Sequence, residues 1–157
     1  MTDPKTKLTP HFSLAEMTAS TSHPEIYNVP TPLVVENLTR VCQWLEKLRE
    51  AYNSRYGTDA PIRVSSGYRS QKLNRAVGGV NDSNHLTGCA ADLICRDATQ
   101  VVRYAALLIE LFEDAKQQWD EIIIEKKYER FWLHFAVRPD RNRGKVTTVV
   151  VRRRRKC

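Results

Sequence analysis

Two histidines and an aspartate carry the most visible chemistry of this chain. His85 and Asp92 lie in the segment Ser83-Asn84-His85-Leu86-Thr87-Gly88-Cys89-Ala90-Ala91-Asp92, and His134 follows far downstream in Trp132-Leu133-His134. Two imidazoles and a carboxylate are zinc-binding groups, and three such ligands with an open fourth position make a catalytic zinc site. Residue types alone also allow a plainer reading, a histidine in a turn with an aspartate near a cap. The surroundings favour a metal. Gly88 lets the chain turn tightly after His85, and Ala90-Ala91-Asp92-Leu93-Ile94-Cys95 reads as a short buried strand with one acidic side chain. A buried carboxylate without a partner is costly, so Asp92 needs a cation or several donors. Residues 131–137 are strand-like too, and alternation puts Trp132, His134 and Ala136 on one face, with Leu133, Phe135 and Val137 on the other.

The elements that must position these groups follow from periodicity and punctuation. Ser13-Leu14-Ala15-Glu16 fits a capping box at the start of a short helix. Thr31-Pro32 opens a long helix in which Leu38, Val41, Leu45, Leu48 and Tyr52 recur at helical spacing, with Gly57 as its stop. Residues 61–66 read as a strand whose end delivers Tyr68 and Arg69 on a loop, and residues 71–77 as a short helix ended by Gly78-Gly79. Asp97-x-x-Gln100 caps a second long helix carrying Val101, Ala105, Leu108 and Phe112 toward a sheet. The apolar run Ile122-Ile123-Ile124 is expected to form a hairpin with residues 131–137 through the polar segment 126–130, and residues 145–151 to add an edge strand.

The pattern Ser83-x-His85-x-x-Gly88-x-Ala90-x-Asp92, preceded by Ser66-Gly67-Tyr68-Arg69-Ser70 and followed by Trp132-x-His134, resembles the zinc D-Ala-D-Ala carboxypeptidase and murein endopeptidase family. The likeness is strongest to its small single-domain, phage-type branch. It runs from about Phe12 to about Gly144 and takes in Phe12-Ser13-Leu14-Ala15-Glu16-Met17-Thr18, Leu73-Asn74-x-Ala76-Val77-Gly78-Gly79 and Asn142-Arg143. The resemblance implies an α+β domain, a small mainly antiparallel sheet with helices packed against it, the zinc DD-peptidase (hedgehog-like) fold. It implies Zn²⁺ as cofactor, held by His85, Asp92 and His134. It places Arg69 against the substrate, where a fixed guanidinium holds a terminal carboxylate or a developing oxyanion. Ser83 matches a residue beside the substrate that either bonds the peptide or orients His85. Tyr68, next to Arg69, is a further candidate substrate contact. The chain departs from the family pattern at one point: many relatives carry an acid three residues before the last histidine, where this sequence has Phe131. Glu125, at the end of the isoleucine run, is the candidate general base instead, with Glu129 as second choice.

Composition narrows the remaining classes. The chain has 157 residues, 41% hydrophobic and 27% charged, which suits one globular domain over residues 1–151. No apolar run approaches the roughly 20 residues that span a bilayer. Met1-Thr2-Asp3-Pro4-Lys5 is followed by no apolar segment, so the expectation is synthesis in the cytoplasm without a signal peptide, with action at the bacterial cell wall only if a phage or lysis system delivers the protein. Much of the net charge of +7 sits in Arg152-Arg153-Arg154-Arg155-Lys156, expected to be a disordered tail over 152–157. That tail is a candidate handle for anionic wall polymers. No aromatics interleave with its arginines, so no specific nucleic-acid binding is expected. The four cysteines lack the density of a disulfide scaffold, and Cys89 and Cys95, flanking Asp92, are read as small buried side chains.

These readings converge on a monomeric zinc metallopeptidase that hydrolyses peptidoglycan stem peptides, either as a D-Ala-D-Ala carboxypeptidase or as a murein endopeptidase. The alternative is a non-catalytic module that keeps zinc for wall binding or phage structure, for which Phe131 is the best support. A basic nucleic-acid protein would rest on the tail alone.

Overall fold

The computed structural model describes residue 3 and residues 5–153. A small antiparallel pair, β1 (Lys7–Thr9) and β2 (Phe12–Ser13), leads into α1 (Leu14–Thr18), whose cap is the Ser13 hydroxyl accepting from the Glu16 N–H at 3.2 Å. The long helix α2 (Pro32–Tyr56) starts where Thr31 caps the Val34 N–H and proline occupies the first turn, which needs no donor there. It stops at Gly57, whose φ of 63° is left-handed. There follow β3 (Val64–Ser66), α3 (Gln71–Ala76) and a 3₁₀ turn, Asn84–Thr87. Next come β4 (Ala90–Cys95), α4 (Ala98–Asp114, capped by Asp97), β5 (Glu121–Lys127), β6 (Arg130–Ala136) and β7 (Lys145–Val151).

The main sheet has the order β3-β4-β6-β5-β7, antiparallel throughout except for the parallel β5/β7 pair. Period-2 alternation gives it two unlike faces. One carries Leu93, Ile122, Leu133 and Phe135, all fully buried under α2 and α4, where Trp44 stacks on Phe112 at 3.7 Å and Phe112 meets Phe135. The other carries Asp92, His134, Glu121 and Glu125, and among the described residues no helix seals it. The α+β architecture with a small, mainly antiparallel sheet is the one expected from the sequence.

Several boundaries differ from the reading by periodicity. The strand expected over 61–66 starts only at Val64, since Pro61 has no N–H to give a ladder and the pairing with β4 is irregular between Val64 and Ser66. The hairpin connection is shorter than residues 126–130: Lys127 pairs with Arg130, leaving Tyr128 and Glu129 as a two-residue turn with Tyr128 at φ 56°. Charged side chains at exposed strand ends leave the backbone ladder free to continue. β5 also begins one residue before the isoleucine run, at Glu121.

Among the described residues no helix is long and apolar enough to cross a membrane. Cys42, Cys89 and Cys95 are buried free thiols. Of the basic tail, residues 154–157 lie outside the described residues, while Arg153 rests its guanidinium 5.6 Å over the Tyr128 ring.

Candidate metal centre

Asp92 and His134 face each other directly across the β4/β6 ladder, so pairing alone puts both side chains on the open face. His85 arrives from the 3₁₀ turn just ahead of β4. That turn is shaped by Ser83, whose hydroxyl accepts from the His85 N–H at 3.2 Å, and closed by Gly88 at φ 75°, where a side chain would press on the Val34 backbone. The outcome is a cluster in which one ligand atom from each of His85, Asp92 and His134 lies within 4.8 Å of the others.

The donor set fits a metal ion. His85 Nδ1 donates to the Gly67 carbonyl at 2.6 Å, which leaves Nε2 as the lone-pair nitrogen. That Nε2 is buried, makes no hydrogen bond, and faces Asp92 Oδ2 at 3.4 Å. A buried nitrogen with no partner is costly, and a cation between it and the carboxylate removes the cost. His134 turns Nδ1 toward Asp92 Oδ1 at 3.1 Å and Nε2 toward Glu121 Oε1 at 3.2 Å. Each imidazole thus offers one nitrogen to the centre and is oriented through the other, as metal-binding histidines are. Burial opposes protonation of His134, but the carboxylates at its two nitrogens lift its pKa to about 9. Burial likewise opposes charge on Asp92, and the two imidazoles outweigh it, holding that carboxyl far below the ordinary range.

Two glutamates flank His134 on β5, spaced four apart with Ile123, its direct cross-strand partner, between them. Their environments push them apart. The hydrogen bond with His134 draws Glu121 down to about 2, while burial and then the charge of Asp92 raise Glu125 above the usual glutamate value. Glu121 stays an anionic acceptor, and Glu125 is the carboxylate suited to exchange a proton. Arg69 lies on the far side of Asp92. Its Nε donates to Ser66 Oγ at 3.1 Å, Nη1 to Asn74 Oδ1 at 3.0 Å, and Nη2 reaches Asp92 Oδ2 at 3.5 Å. A guanidinium has five N–H donors, so this fixed geometry leaves donors to spare for a ligand.

All these groups line a cleft of ≈ 420 Å³, bounded by Gly78-Gly79-Val80 on one side and Arg143 and Lys145 on the other. His85, Asp92, His134, Arg69, Ser83 and Glu125 are brought together there. Tyr68 is not among the lining residues: it packs against the hydrophobic core, and burial raises its hydroxyl pKa. Glu129 sits in the hairpin turn, away from the cleft. Cys89 is buried and outside the ligand cluster.

Sequence reasoning missed the polar frame beneath the centre. Asn84 Nδ2 donates to Glu121 Oε1 at 2.6 Å and to Asp120 Oδ2 at 2.7 Å. Asp120, fully buried, also accepts from Arg143 Nη2 at 2.8 Å and from the Arg143 N–H and Nε at 3.0 Å. A signal for Glu121 was present: residues 121, 123 and 125 share one strand face by period two, so a glutamate base at 125 implies a second glutamate beside the same histidine.

A family model described as Peptidase M15 matches residues 10–108. The match takes in Arg69, Ser83, His85 and Asp92 and ends before β5 and β6, so Glu125 and His134 are placed by the tertiary structure. No curated protein matches the chain.

Proposed function

The chain belongs to the M15 peptidases, and from that membership and the centre's geometry we propose a zinc-dependent peptidase that hydrolyses peptidoglycan stem peptides at a bond involving a D-amino acid. The observation that carries the reading is the buried His85 Nε2, without a hydrogen bond and turned toward Asp92 and His134, with a carboxylate of raised pKa, Glu125, in the same cleft. His85, Asp92 and His134 would hold the ion. Bound zinc supplies a Lewis acid that polarises the scissile carbonyl and lowers the pKa of water toward neutrality.

The chain's own groups do the rest. Glu125 takes the proton of the attacking water and delivers it to the leaving amine, a task matched to its raised pKa. Arg69, immobilised by Ser66 and Asn74, offers its remaining donors to a substrate carboxylate or to the developing oxyanion. Ser83 acts through the backbone by fixing the turn that aims His85. Glu121 keeps His134 in the tautomer that presents Nδ1. Phe131 costs the chain nothing on this reading, because β5 supplies the acid from the neighbouring strand.

The test is hydrolysis of purified peptidoglycan and of a D-Ala-D-Ala-terminated stem peptide by protein of measured zinc content, beside His134→Ala and Glu125→Gln. Glu125→Gln is expected to keep its zinc and lose about 10²- to 10⁴-fold in kcat; fragment masses separate carboxypeptidase from endopeptidase. Full zinc with no cleavage of either substrate would leave a wall-binding module without catalysis.

A further inference from the structure

A cavity of ≈ 960 Å³ lies apart from the metal cleft. It opens between α2, the β1–β2 turn and the segment after β6. A smaller depression joins the two: it shares Asp82, Ser83 and Asn84 with the metal cleft, and Arg138 and Pro139 with the large cavity. The junction is one hydrogen-bonded pair, Arg138 Nε donating to Asn84 Oδ1 at 2.8 Å. The metal cleft, the depression and the large cavity are therefore successive neighbours on the surface, sharing walls from Asp82 to Pro139.

The lining of this cavity is mainly cationic. Arg40, Lys47 and Arg138 stand against one carboxylate, Glu46, and Arg138 is itself paired with the buried Asp120 at 3.3 Å. Glu46 is already engaged, accepting from the His11 N–H at 2.7 Å and from Thr9 Oγ1 at 2.8 Å, with His11 Nδ1 at 2.7 Å. Arg40 bonds only a neutral amide, Asn37 Oδ1, and Lys47 lies 4.6 Å over the Trp44 ring with no ion-pair partner among the described residues. Trp44 is itself buried and stacked on Phe112, which fixes the base on which Lys47 rests, and the side-chain amides of Gln43 and Gln118 stand at the cavity wall. Side-chain amides and two cations without a carboxylate partner among the described residues, Arg40 and Lys47, suit a polar chain bearing carboxylates.

We propose that this cavity is a distal subsite that holds a carboxylate-bearing stretch of the same peptidoglycan strand whose peptide lies at the metal centre. The identity of the occupant rests on the peptidase reading, whereas the cavity and its charge do not. Contacts so far from the scissile bond serve to retain and align a polymeric substrate, and a short peptide reaches none of them. A subsite beyond the metal cleft thereby favours cleavage within the polymer over trimming of a free terminus.

The experiment is equilibrium binding to insoluble peptidoglycan stripped of phosphate-containing wall polymers, with Glu125→Gln protein so that the polymer stays intact. Arg40→Gln/Lys47→Gln in that background is compared with Lys126→Gln/Lys127→Gln, which removes the same charge from the β5–β6 hairpin. The cavity pair is expected to raise the dissociation constant about five- to tenfold, with the hairpin pair within about twofold and the difference fading at high salt. Equal weakening by both pairs would reduce the effect to diffuse charge and overturn the subsite. No binding by the parent protein, or binding only to walls that retain phosphate polymers, would overturn the assigned occupant. Failure of the peptidase reading shows separately, as zinc-loaded wild type that cleaves nothing.

Discussion

Replacing Glu121 with alanine removes the carboxylate that orients His134 without touching a ligand. Glu121 Oε1 sits 3.2 Å from His134 Nε2 and accepts from Asn84 Nδ2 at 2.6 Å, so one oxygen ties the imidazole to the buried frame. A hydrogen bond to a charged acceptor contributes about 1.5–3 kcal/mol, and every 1.4 kcal/mol is tenfold in an equilibrium constant. If the ring must be ordered by the metal instead, zinc affinity falls about 10- to 100-fold. Glu121→Gln can keep an amide oxygen where Oε1 stood, retaining both hydrogen bonds and losing only charge, so it should fall less. Competition against a chromogenic chelator reads the affinity, and peptide hydrolysis at saturating zinc reads the catalytic step. The two glutamates should then separate: Glu121→Ala recovers most of its kcat in excess zinc, whereas Glu125→Gln does not. Zinc affinity of Glu121→Ala within about twofold of wild type, or a kcat loss that excess metal leaves untouched, would refute an orienting role.

Three further outcomes follow from the frame and the core. Phe135→Ala empties a fully buried site beneath the ligand strand and should cost about 3–5 kcal/mol in urea unfolding, with less than about 1 kcal/mol pointing to a collapsed site. Gly67→Ala would drive a Cβ into the Met17 carbonyl oxygen; the loop after β3 must move, and with it the carbonyl that fixes His85 Nδ1, so both the melting temperature and zinc affinity should fall together. Asp120 is opposed by burial, but its bonds to Arg143 and Asn84 prevail and set its folded pKa below the unfolded value. Its contribution is thus fully present above the unfolded value of about 3.9 and is lost as pH falls through the folded one. The stability gap between wild type and Asp120→Asn should be widest at neutral pH and shrink below about pH 4; a gap constant from pH 7 to 2.5 would show that the carboxylate's charge is not what the frame uses.

The helices and the metal ligands were legible because each depends on local chemistry. The Ser13, Thr31 and Asp97 caps, the Gly57 stop and the apolar stripe of α2 are short-range rules, and they met their elements within a residue or two. His85 and Asp92 share one turn and one strand, so their approach needs little beyond Gly88. The face carrying His134 followed from alternation alone, since a slip of one residue would bury the imidazole and expose Leu133. What the linear order could not supply was register between strands. The opposition of Asp92 to His134, and of Ile123 to His134, is what sets Glu121 and Glu125 on either side of that ring, and pairing is decided by packing of the whole sheet. The division of labour between those glutamates is later still: two like side chains on one strand face acquire opposite pKa shifts only from what folding brings near them, His134 to the one, burial and Asp92 to the other. The frame of Asn84, Asp120, Arg138 and Arg143 joins residues up to 54 positions apart, so no window of sequence contains it. Sequence thus determines which groups can bind and react, because that is a property of each side chain; the tertiary structure decides which of them does what, because that depends on neighbours the chain meets only when folded.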